Sequence, residues 1–299
     1  MNCRGTGLRN AGVLFVGLAI LGCSDIRQAG TPPGRLLGAN SSVGKGTVSS
    51  YAEFDKYGAP KAIGIVFQAG ALDGLPSAHS DGHHCFDQNN DGKVELDKEC
   101  FGTHEWGIPL PSEAAQRSEI PFKWVGLNWN PHGQIPPGVY DLPHFDVHFY
   151  IEPIEKIFAI GSGPCGPEFV HCDQFKLATR PQPSNYMHSD FKNVDAVAPA
   201  MGNHLIDLTS PEFNKQKFTQ TWVYGVYDGR ITFYEEMLTR DYLLSQPATC
   251  FPLKSPPAVG VRGYYPTQSC IRYLAQANEY TISMEGFVLR DASAAEAVI

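Results

Sequence analysis

The sequence predicts a mainly β protein, one β-barrel or β-sandwich domain with a few short helices. Three observations carry this. Proline (23) and glycine (30) are frequent, which favours many turns over long helices. Several segments alternate apolar and polar residues with the period of a half-buried strand. No amphipathic run is long enough for a helical bundle, and no internal repeat is visible. At 299 residues the chain suffices for one large β domain.

Residues 23–45 are rich in Gly, Pro and Ser and read as a flexible tether. The folded domain is expected over 46–292. "GTVSSYAEF" and "KAIGIVF" flank the turn cluster "DKYGAP" and predict a first hairpin. An irregular excursion rich in Asp, Asn, His and Gly follows at 73–103. "PSEAAQRSE" predicts a short helix capped by Ser112. "FKWVGLNWN" predicts a strand, and so does "HFDVHFY" after it. "IEPIEKIFAIG" suggests one or two helical turns, and 161–200 reads as loop-rich. In "FTQTWVYGVYDGRITFYEEML" Asp228–Gly229 signals a two-residue hairpin turn. Simple pairing then sets Val223 opposite Tyr234 and Trp222 opposite Glu235. "TRDYLLSQ" predicts a helix capped by Thr239, and "EYTISMEGFVL" a last strand.

The N-terminus reads as a targeting segment. Arg4 and Arg9 precede the apolar run "AGVLFVGLAILG", which is too short to span a membrane. The run ends in "ILGC" and resembles a bacterial lipobox, which implies a signal peptide over 1–22 and lipidation of Cys23. The expected place is then the cell envelope, with the chain lipid-anchored on the periplasmic or extracellular side of a bacterial membrane. The formal charge is −8, and residues 1–22 carry two basic groups and no acid, so the remainder carries −10. No basic stripe appears, so nucleic acid is not an expected partner, whereas a small-molecule ligand is compatible. The sequence is silent on oligomeric state.

Six cysteines follow Cys23, an even number in an exported chain, and they read as disulfides. Short loops close at least entropic cost, which favours Cys85–Cys100, Cys165–Cys172 and Cys250–Cys270.

Two stretches suggest metals. In "DQNNDGKVELDKE", Asp87, Asn89, Asp91 and Gly92 match the start of a calcium loop, with a carbonyl from Lys93 and a carboxylate from Glu95. The departure is Lys98, where a bidentate Glu is expected. The alternative is a plain acidic surface loop.

In "PHFDVHFYIEP" three metal-competent groups share one strand face: His144, Asp146 and His148. Alternate residues lie about 6.6 Å apart, and the two histidines about 13 Å, near the limit for one ion. His204, in the turn-like "MGNHLID", and Glu235, on an apolar-patterned face, complete a candidate set. Glu236 reads as solvated. His/carboxylate donors suit Zn²⁺, Mn²⁺ or Fe²⁺. The alternative is a polar sheet face with no ion. His132 is a further candidate, whereas His83 and His84 read as surface residues. No G-x-S-x-G elbow, P-loop or G-x-G-x-x-G occurs.

"GAPKAIGIVFQAGALDGLP", "PPGVYDLPHFDVHFY", "APAMGNHLIDL" and "YGVYDGRITFYEEMLT" resemble, in this order, a family of exported bacterial β-rich proteins of unknown function, the TTHB-type secreted proteins. The resemblance spans roughly 46–290 and implies a β-rich domain with no established activity. A proline follows the hairpin acid in the family pattern. Glu236 stands there in this chain, so the matching acid is Glu235. Cupins also hold His and Glu ligands in a β-fold, but with H-x-H spacing where this chain has H-x-x-x-H. The two functional expectations are a metal-dependent enzyme on a small envelope or extracellular substrate and a non-catalytic binding or scaffolding lipoprotein.

Overall fold

Alternation decides which side chains meet. Ile63, Ile65 and Phe67 from one strand and Phe145, Val147 and Phe149 from another fall into a single apolar core. Phe67 and Phe145 pack edge to face across it, with centroids 5.2 Å apart. The computed structural model describes residues 34–297. Its sheets pack as a sandwich, and neither closes into a barrel.

One sheet has six antiparallel strands in the order β1 (Arg35–Val43), β2 (Gly46–Phe54), β3 (Pro60–Gln68), β15 (Glu279–Glu285), β14 (Gln268–Leu274) and β12 (Ala248–Pro252). The other has seven, in the order β4 (His104–Pro109), β5 (Trp124–Asn130), β6 (His144–Tyr150), β11 (Arg230–Thr239), β10 (Gln220–Tyr227), β9 (Gly202–Asp207) and β8 (Phe191–Ala198). Strands β13 (Gly263–Tyr265) and β16 (Val288–Arg290) pair with each other, and β7 (Ser162–Cys165) makes only isolated bridges to Val170. The larger sheet joins two meanders, β4–β5–β6 and β8–β9–β10–β11, along a seam between β6 and β11.

Several expectations need correction. The tether assigned to 23–45 contains β1, so the domain begins earlier than Gly46. The strand is an edge, polar in composition, and bulged between Leu37 and Asn40, which erases its alternation. Gly38 sits there against Ser50 and the Pro109 carbonyl, where a side chain would collide.

The β10–β11 hairpin has the expected Tyr227↔Arg230 start, but Val223 faces Glu235 and Trp222 faces Glu236. The register slips because Gly225 pairs Phe233 while Val226 pairs Ile231, a bulge at Thr232. His204 lies in β9 and not in a turn. Glu236 is fully buried between the sheets, not solvated.

Ser112 is the first residue of the helix Ser112–Ala115, not its cap, and its hydroxyl donates to Glu113. Thr239 does cap Arg240–Leu244, accepting from Tyr242 N at 3.2 Å. All three cysteine pairs form as the loop lengths favoured. Such bonds persist in oxidising compartments. Among the described residues no helix is long and apolar enough to cross a membrane. Cys23 and the signal segment lie outside the described residues.

Candidate metal centre

The outer face of the seven-stranded sheet is covered rather than wet. One small cluster, with Phe101, Trp124, Tyr150, Ile157 and Phe233, lies on one side. Another, with Tyr140, Ile206, Phe218, Val223 and Met237, lies on the other. Polar side chains held between them are cut off from water, so each needs a partner or an ion.

His148 and Glu235 are direct cross-strand neighbours on β6 and β11. Both are 0% exposed, and His148 Nε2 lies 3.4 Å from Glu235 Oε1. His204 approaches from β9, with Nε2 3.8 Å from Glu235 Oε2. It reaches across β10 because its partner there is Gly225, which has no side chain. Phe233 lies over that glycine, and the His204 ring packs on Phe233 at 5.1 Å. On the other flank Gly126 faces His148, and an added Cβ would stand 2.7 Å from the Tyr150 ring. Two glycines thus make room for the rings that frame the site.

One donor atom from each of His148, His204 and Glu235 falls within 4.8 Å of the others. Tetrahedral ligands about 2.1 Å from one ion stand about 3.4 Å apart. The observed 3.4 and 3.8 Å therefore match ligand separations better than hydrogen bonds. Both nitrogens of His148 and both oxygens of Glu235 are buried without a hydrogen-bond partner among the described residues. The Nδ1 of His204 lies 2.9 Å from the Ala196 carbonyl, which only a protonated nitrogen satisfies. That fixes the tautomer and turns the Nε2 lone pair toward Glu235, a common arrangement behind metal-bound histidines.

His144 and Asp146 do not join this trio. They form a pair of their own, Nε2 to Oδ1 at 3.2 Å, and Asn130 donates to the other Asp146 oxygen at 2.6 Å. His144 Nδ1 lies 2.6 Å from the Leu142 carbonyl. Both imidazole nitrogens thus face oxygens. Burial alone would raise the Asp146 carboxyl, but His144, with help from His148 and Asn130, holds it below its usual range.

The trio has the opposite bias. Burial pushes Glu235 well above the carboxylate range, with Asp146 and Glu236 adding to it. Burial drives His148 down to about 3 and lowers His204 as well. Without a cation the trio thus favours neutral imidazoles and a protonated acid. A divalent ion would take the place of that proton and use the same atoms.

A pocket of about 30 Å³ opens beside His204, bounded by Phe101, Tyr140 and Glu168 among others. That is room for one or two waters. Burial raises the Glu168 carboxyl to about 7. Glu168, Asn130 and the two glycines went unrecognised in the sequence. Only the glycines left a signal there, each interrupting an otherwise regular strand.

The calcium-like loop is ordered by its own carboxylates. Gly92 N donates to Asp87 Oδ2, Asp91 N to Asn89 Oδ1 and Lys93 N to Asp91 Oδ1, each within 2.9 Å. Lys98 pairs with Glu95, which draws that carboxylate out of the loop. Glu99, one residue later, turns inward instead and accepts from the backbone of Gln88 and Glu95 at 3.0 Å. Asp87 Oδ1 is buried without a hydrogen-bond partner among the described residues.

Cys250, Cys270 and Glu285 also cluster, but their cysteines are oxidised to a disulfide and offer no thiolate. His132 lies 3.1 Å from the Ser77 carbonyl, remote from the trio's contacts. His83 is exposed as expected, whereas His84 is mostly buried and contacts Glu105 at 3.0 Å. No protein-family model, curated protein or solved structure matches this chain.

Proposed function

We propose that this is an exported, lipid-anchored metalloprotein in which His148, His204 and Glu235 hold one transition-metal ion. The observation that carries the reading is the unpartnered, buried His148 Nε2 and Glu235 carboxylate 3.4 Å apart, with His204 Nε2 3.8 Å from the same carboxylate. Two neutral imidazoles and one carboxylate suit zinc in a three-ligand site with a fourth position open. The same donors suit Fe²⁺ or Mn²⁺, and the near-tetrahedral spacing favours zinc.

The pocket beside His204 supports a catalytic role on a small envelope or extracellular substrate. A bound ion would supply Lewis acidity there. Glu168 borders the same pocket and has the proton affinity of a general base near neutrality. The tightness of the pocket supports a second reading, a binding or scaffolding lipoprotein for which the ion is a staple. Calcium within 87–99 belongs to either reading. It would take the Asp87, Asn89 and Asp91 side chains and the Lys93 carbonyl, with Glu99 in place of Lys98. Asp91→Ala is then expected to weaken calcium binding in calorimetry.

Elemental analysis of the purified protein tests the main reading, with about one transition-metal ion expected per chain. Cobalt substitution separates the two roles. A visible spectrum that shifts with azide marks an open position, and one that does not marks a closed staple. A natively folded chain that takes up neither zinc nor cobalt would overturn the metal assignment.

A further inference from the structure

A second cavity lies away from the metal centre, against the sandwich core. Its volume is about 580 Å³, within the range of small-molecule sites. Three tyrosines line it: Tyr186, Tyr234 and Tyr265. Tyr234 and Glu235 are adjacent on β11 and face opposite sides of the sheet, so the cavity and the metal trio are separate places.

The walls are fixed before any ligand arrives. Tyr265 donates its hydroxyl hydrogen to the Val261 carbonyl at 2.9 Å, and Tyr186 donates to the Ser293 carbonyl at 2.7 Å. The 258–261 loop is pinned by Ala258 N to Asn185 O and by Ser293 N to Val259 O. Tyr234 differs from the other two tyrosines. It is 2% exposed as a whole and lines the cavity, and its hydroxyl, without a hydrogen bond among the described residues, is open to that space and not sealed from it. A hydroxyl open to a cavity is a polar anchor in a mainly apolar space.

Charge at the lip is one-sided. Glu152 is held by Lys156 at 2.9 Å, and the Lys123 ammonium donates to the Ala115 and Ile120 carbonyls. Arg230 lines the same cavity and is exposed, and its side chain makes no ion pair or hydrogen bond among the described residues. Its guanidinium offers the planar fork that suits a carboxylate or sulfonate.

We propose that this cavity binds a small aromatic anion, its flat apolar body against the three tyrosine rings and its carboxylate or sulfonate on Arg230. The proposal is independent of the metal trio and stands whether or not that site binds an ion.

Anilinonaphthalene sulfonate, an aromatic anion, serves as the probe. Titration of the folded chain is expected to give saturable fluorescence with one site per chain. Arg230→Gln removes the charge, and Val261→Glu places a carboxylate at the lip on a residue that is 64% exposed. Each is expected to weaken binding about tenfold. His148→Ala is expected to leave it unchanged. Near-UV circular dichroism establishes that each variant is folded. No saturable binding, an unchanged affinity in either lip variant, or a loss with His148→Ala overturns the proposal.

Discussion

Glu235 and Glu236 are consecutive on β11, and both are 0% exposed, yet they sit in opposite environments. Glu235 points to the covered outer face and meets two imidazoles. Glu236 points between the sheets and meets one neutral group, the Ser269 hydroxyl at 2.5 Å. Burial raises both carboxyls. What differs is the remedy on offer. A cation can replace the proton of Glu235 because lone pairs converge on the same point. Glu236 has no second donor at hand, so it is accommodated only as a neutral acid. Buried acids of equal exposure thus carry different meanings, and the neighbours within one ligand separation decide between them.

The largest expected effect falls on metal content. Glu235→Gln or His148→Ala should lower bound transition metal from about one ion per chain to near zero by elemental analysis, while Glu236→Gln leaves it intact. Equal loss in the two glutamate variants would break the comparison.

Next in size is a pH effect from Glu236, whose carboxyl burial pushes up to about 8. The folded chain keeps a proton there that the unfolded chain releases near about 4.3. This stabilising contribution is full below the lower value and is lost as pH rises through the upper one, a few kcal/mol in all. Thermal melts should therefore show the wild type losing stability between about pH 5 and pH 9, and Glu236→Gln losing less. A variant as steep as the wild type would remove Glu236 from the account.

A smaller effect is expected from Gly225→Ala. The new methyl meets the Phe233 ring that frames His204, costing about 1–3 kcal/mol and weakening metal binding as well. Denaturant melts with metal titration check both. Smallest is Ser269→Ala, which strips Glu236 of its hydroxyl partner for about 1–2 kcal/mol and leaves metal binding unchanged.

The partner strand β6 shows how much was legible beforehand. Alternation in "HFDVHFY" placed His144, Asp146 and His148 on one face, because period-two sorting is local. It did not reveal that the first two pair with each other, since that depends on Asn130 and the Leu142 carbonyl. The acid of the hairpin was found through its awkward position on an apolar face. Its opposite residue was misplaced by one, because a bulge at Thr232 leaves no mark in composition. His204 was noticed as chemistry but read as a turn, since "MGNHLID" begins with glycine and asparagine. The polar edge strand β1 escaped notice because its bulge between Leu37 and Asn40 breaks the alternation that marks a half-buried strand. Short disulfide loops were readable because their closure depends on chain length alone.

The seam between β6 and β11 joins two meanders that are each assembled from sequential neighbours. Each meander forms from nearby segments, whereas the seam must wait for the whole intervening chain to fold back. Glu235 and His204 belong to the second meander and His148 to the first. On the proposed reading, capture of an ion by all three would therefore be a late event in folding, available only once the halves have docked. Metal uptake during refolding should follow the slowest structural phase, and an ion once bound would act as a clasp that slows separation of the two halves.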